Sequence, residues 1–71
     1  MKFIIIPSVF SGQQTWGAYG KNGTTYVILK DKGFTASCKR LGITKYLIEQ
    51  DSPVDSFDKA KAVCEATENP Q

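Results

Sequence analysis

The chain has 71 residues, 41% of them hydrophobic and 23% charged, which suits one small folded domain over residues 1–71 and excludes a disordered tail. Its net charge is only +2, so the total by itself demands neither a nucleic-acid nor a membrane partner. It contains no histidine, which removes His-based catalytic triads, HExxH zinc chemistry and His-switch pH sensing.

At the N-terminus, MKFIIIPSVFSG has some features of a secretory signal, with Lys2 ahead of an apolar run from Phe3 to Phe10. Pro7 interrupts the run, Gln13 and Gln14 follow it, and no A-x-A cleavage site is present. Its removal would leave about fifty-odd residues, near the limit for an independent core. The segment therefore reads as a first β-strand, and its unbroken apolarity predicts a central strand buried on both faces. It is too short to span a bilayer, and no membrane association is expected. The chain reads as stand-alone and cytoplasmic, with no sign of a fused effector domain. Cys38 and Cys64 are then expected as free thiols, a disulfide between them being the alternative if the N-terminus is a signal. Two cysteines fall short of a four-ligand zinc site, and no metal or cofactor is expected.

Residues 7–13 read as a loop. Residues 14–19 alternate at period two, with Trp16 and Ala18 against Gly17 and Tyr19. Gly20-Lys21-Asn22-Gly23 supplies the residue types that tolerate positive φ in a hairpin turn. Thr24 to Lys30 forms the strongest strand pattern, with Tyr26 and Ile28 on one face and Val27 and Leu29 on the other; Asp31-Lys32-Gly33 is a second turn. A meander of two or three antiparallel strands follows. Residues 34–50 admit two readings. As strands, Phe34, Ala36 and Cys38 line one face and Ile43 to Glu49 forms another strand beyond a Leu41-Gly42 bend. As helices, Thr35 and Thr44 cap two short segments. The neighbourhood favours a strand for 43–49 and leaves 35–41 open. Asp55 or Ser56 caps a C-terminal helix whose Phe57, Ala60, Val63 or Cys64 and Thr67 recur at helical spacing, with Lys61 and Glu65 as an i,i+4 pair and Asn69-Pro70 as the stop. The fold class is α+β: an antiparallel, meander-like sheet of three to five strands with one C-terminal helix packed on one face through its alanines.

The small net charge hides an asymmetry. Residues 1–48 carry seven cations (Lys2, Lys21, Lys30, Lys32, Lys39, Arg40 and Lys45) against Asp31 alone, a balance of +6. Residues 49–71 carry six carboxylates against Lys59 and Lys61, a balance of −4. Such a dipolar chain can be steered toward a charged partner. The basic part also holds most of the aromatics. Cations and rings together suit single-stranded nucleic acid, and they equally suit the anchors of a protein interface. Trp16, Tyr19, Lys21, Tyr26, Lys39, Arg40 and Lys45 are the candidate binding residues, with core packing as the competing role for Trp16 and Tyr26.

Three motifs compete with this reading. The glycines of 17–23 fall short of a P-loop, since Asn22 follows the lysine and a strand follows the turn. Gly20-Lys21-Asn22-Gly23 matches the bare GXXG of a KH domain, whose loop joins two helices. Residues 38–45 resemble the centre of a helix-turn-helix, with Leu41-Gly42-Ile43 followed by Thr44 as a cap, although Asp51 stands where an apolar residue is usual. Glu49, Asp51, Asp55 and Asp58 are too irregularly spaced for a catalytic pair or a Mg²⁺ site, and without histidine neither cysteine has an evident base. The expectation is a non-enzyme with no small-molecule substrate: a small protein that modulates or inhibits another macromolecule by protein–protein contact, of the sort that phages and mobile elements direct at host proteins. Nucleic-acid binding is the alternative, and a homodimer through a sheet edge is a third.

Overall fold

The computed structural model describes residues 1–6 and 14–69. Five strands, β1 (Ile4–Ile6), β2 (Gln14–Tyr19), β3 (Thr25–Lys30), β4 (Phe34–Arg40) and β5 (Ile43–Tyr46), form one antiparallel sheet in the order β1-β2-β3-β4-β5. One helix, α1 (Phe57–Glu68), packs against β3 and β4. The expected α+β meander with a C-terminal helix is the architecture found. The loop reading of residues 7–13 and the stop at Pro70 lie outside the described residues.

Alternation along the strands sorts the side chains. Ile28 pairs with Trp16 on β2 and Ala36 on β4, and Tyr26 pairs with Ala18 and Cys38, so all six point to the helix side. Ala60 and Cys64 of α1 meet them, both with no exposed surface. The small side chains Ala36, Ala60 and Cys64 let helix and sheet approach closely around Ile28, whose complete burial contributes about 1.5–3 kcal/mol. Beside this core, Trp16 lies 5.9 Å from Phe34 and 4.9 Å from Phe57 between ring centroids, and Phe3 reaches Phe57 at 5.9 Å. Both cysteines are free thiols.

Four sequence expectations need correction. The Ile4–Ile6 strand is an edge strand, exposed rather than buried on both faces. A meander necessarily places its first strand at the margin, and the residues that turn inward to the helix are Met1 and Phe3, ahead of the strand. The helix-turn-helix alternative for residues 35–50 is excluded, because Phe34–Arg40 and Ile43–Tyr46 are paired strands. Strand β5 ends at Tyr46 instead of Glu49, because the amides of Leu47 and Ile48 both donate to the Ala36 carbonyl and draw the chain across the sheet. Glu65 accepts from the Met1 amine at 3.1 Å, and the helix's i,i+4 ion pairing is Asp55–Lys59. Ser56, the second of the two candidate caps, accepts from the Lys59 amide.

The aromatic cluster yields a test. Trp16→Ala removes the ring that packs on both Phe34 and Phe57, and the expected loss of about 3 kcal/mol is a large share of a small domain's stability. A urea titration should show the variant largely unfolded or with a sharply lowered midpoint, and Trp16→Phe should recover most of the loss.

Candidate functional site: the β4–β5 hairpin

The seven residues singled out from sequence do not form one surface. Trp16 and Tyr26 face the helix, and Tyr26 is only 2% exposed. These two serve the core, because the helix covers the strand positions they occupy. Lys21 lies in the β2–β3 turn and is engaged with the end of α1. Its amide donates to Glu68 Oε2 at 2.6 Å and its Nζ donates to Asn69 Oδ1 at 3.0 Å. Tyr26 Oη donates to Glu68 Oε1 at 3.0 Å, so one carboxylate ties the sheet, the turn and the helix terminus together. Gly20 is required there, since a Cβ would sit 2.5 Å from the Tyr26 ring and 2.6 Å from Glu68.

Burial and the hydrogen bond to Glu68 push the Tyr26 hydroxyl up to about 12. Burial, with Cys38 nearby, pushes the Cys64 thiol up to about 11. Both groups therefore hold their protons more tightly in the folded chain than in the unfolded one. Their contribution is full below the ordinary thiol value of 9.0 and is lost as pH rises through the two folded values. The urea midpoint should fall between about pH 9 and about pH 12. Tyr26→Phe should start from a lower midpoint at neutral pH and fall less over the same range.

Lys39, Arg40 and Lys45 do come together, on a hairpin that α1 does not cover. Every residue from Lys39 to Tyr46 is exposed, on both faces of the ribbon. Lys39 and Thr44 share the sheet face away from the helix, while Arg40, Ile43 and Lys45 share the helix side. No carboxylate occurs between Asp31 and Glu49. The ribbon also exposes Leu41 (86%), Ile43 (73%) and Tyr46 (60%), which sequence reasoning did not select. Tyr19 lies on the open face, in the cross-strand row Tyr19–Thr25–Lys39–Thr44.

The β2–β3 and β4–β5 turns differ in one informative way. In each, two successive residues have positive φ: Asn22 and Gly23 in the β2–β3 turn, Leu41 and Gly42 in the β4–β5 turn. Asn and Gly suit that backbone. A leucine there costs about 1–2 kcal/mol, because its Cβ crowds the following carbonyl. Leu41 recovers none of this by burial. The signal in the sequence was a leucine directly before glycine in a two-residue turn.

Comparison with protein-family models, curated proteins and solved structures finds no match to this chain. The hairpin must therefore be read from its own chemistry: three cations, three large exposed apolar or aromatic side chains and one strained leucine at the tip. Leu41→Asn should raise stability by about 1 kcal/mol, measured as an increased urea midpoint with an unchanged slope.

Proposed function

We propose that this chain is a small non-enzymatic binding protein that modulates or inhibits another macromolecule through protein–protein contact, with the β4–β5 hairpin as its contact surface. The observation that carries this reading is Leu41, strained at φ 53 and 86% exposed. Neither folding nor solubility gains from a leucine in that place, whereas an apolar pocket on a partner would. Strain held at an exposed position is a feature of functional sites. Lys39, Arg40 and Lys45 around the apolar tip supply steering toward an acidic surface, an effect that weakens with salt.

The placement of the aromatics supports protein over nucleic acid as the partner. Stacking of single-stranded bases needs accessible rings. Trp16, Phe34 and Phe57 pack on one another and Tyr26 is buried, which leaves Tyr19 and Tyr46 as the freely presented rings among the described residues. Those two stand three strand spacings apart, about 14 Å. The tip itself is aliphatic.

Immobilised protein should retain a partner from cell extract after nuclease treatment. Leu41→Asn should lose that partner while folding more stably than the parent, and Lys39, Arg40 and Lys45 changed together to Ala should lose it while remaining folded. Retention by both variants sinks the hairpin reading. If nuclease releases the captured material, or labelled single-stranded RNA or DNA binds below micromolar with a steep salt dependence, the nucleic-acid alternative replaces it.

A further inference from the structure

We infer that the free edge of β5 takes up an extended, acidic segment of the partner protein as a sixth strand. This rests on the hairpin being the contact surface and specifies how that contact is made. The main chain of β5 is arranged for it. In a two-residue hairpin the closing pair, here Arg40 and Ile43, exchanges both main-chain hydrogen bonds, and the ladder then bonds every second residue. Ile43 and Lys45 therefore direct their N–H and C=O groups toward β4. Leu47 continues the same phase, since its amide donates to the Ala36 carbonyl. The N–H and C=O groups of Thr44 and Tyr46 point the other way. Strand β5 ends the sheet, so among the described residues these four groups face an open edge. An added strand would satisfy all four, as in β-strand addition to an exposed sheet edge.

Side-chain charge selects the occupant. A second copy is disfavoured. The antiparallel two-fold pairing that uses all four groups sets Thr44 against the partner copy's Tyr46 and places the two Lys45 side chains directly opposite each other. Like charges so placed are destabilising, which is how a lysine on an edge strand discourages self-association. A carboxylate opposite Lys45 turns that repulsion into attraction, with Lys39 and Arg40 on the neighbouring strand adding to the field. On the other face, Thr44 and Tyr46 favour β-branched residues at the alternate positions. The ligand chemistry is thus an extended peptide alternating acidic and β-branched residues.

The probe is a synthetic peptide of about eight residues alternating Glu and Val, compared with its Lys/Val counterpart and with a copy N-methylated at its pairing amides. Titration into ¹⁵N-labelled protein should slow the exchange of the Thr44 and Tyr46 amides. Binding should weaken about tenfold or more for the N-methylated and Lys/Val peptides. Thr44→Pro removes an N–H that the hairpin does not use, and proline is accepted on an edge strand in that orientation. The variant should stay folded and bind the Glu/Val peptide about tenfold or more weakly. Lys45→Glu should reverse the preference between Glu/Val and Lys/Val peptides.

Equal binding of the N-methylated and parent peptides, unprotected Thr44 and Tyr46 amides in the complex, or no binding up to about 1 mM overturns the strand addition. Because the methylated peptide tests pairing on unaltered protein, misfolding of Thr44→Pro cannot mask the answer. If the captured macromolecular partner is lost by the Lys39/Arg40/Lys45 triple variant but kept by a folded Thr44→Pro, the hairpin reading stands and strand addition falls. Retention by both, and by Leu41→Asn, removes the two together.

Discussion

One helix cannot cover a five-stranded sheet. An α-helix with its side chains is about 10 Å across, while five strands at about 4.8 Å spacing present a face of roughly 20 Å. Where α1 lies therefore decides which side chains become core and which become surface. It lies on β3 and β4, held by small residues facing it from both layers, and its first turn packs Phe57 against both Phe34 and Trp16. The cover stops before β5. A hairpin whose two faces are both open is the geometric remainder of that packing, and the candidate contact surface is built on the remainder.

The same constraint explains how far the fold could be read from residues. Strands β2 and β3 were legible because period-two alternation matches a sheet with one covered face, and because Asn22-Gly23 and Asp31-Lys32-Gly33 punctuate it. The C-terminal helix was legible from Ser56 and from Phe57, Ala60 and Cys64 at helical spacing, whereas the expected packing through its alanines holds for Ala60 alone, since Ala62 and Ala66 are exposed. Edge position was not legible for β1. Three isoleucines in a row look the same whether two neighbours bury them or one does, and only the pairing order distinguishes the cases. Residues 35–41 stayed open because Thr35, Ala36, Ser37 and Cys38 fit either element locally. Their conformation is decided by partners distant in sequence, with Ala36 opposite Ile28 and Cys38 opposite Tyr26.

The site was legible only in its charges. Lys39, Arg40 and Lys45 stand out in a composition count because no carboxylate lies near them along the chain. Trp16 and Tyr26 attract the same attention for the opposite reason, since a large ring is an interface anchor when exposed and core filling when covered. Backbone conformation escaped altogether. A residue's φ is not written in its letter, and Leu41 is informative only once the turn is known to need positive φ at both positions.

What becomes of the charges inside the fold gives the asymmetry its direction. Much of the acidic end is engaged by the structure itself. Glu65 holds the Met1 amine, Glu68 accepts from Tyr26 and from the Lys21 main chain, and Asp55 pairs with Lys59. The hairpin cations are not engaged in this way. Among the described residues the ion pairs are Met1–Glu65 and Lys59–Asp55, and neither involves Lys39, Arg40 or Lys45. Internal contacts thus occupy Glu65, Glu68 and Asp55 while three positive charges remain together on a ribbon pointing into solvent. The molecule's +2 understates the field that a partner meets there. On the proposed reading, that field leads a partner to the β5 edge, where the outward main-chain groups and the aliphatic tip lie together.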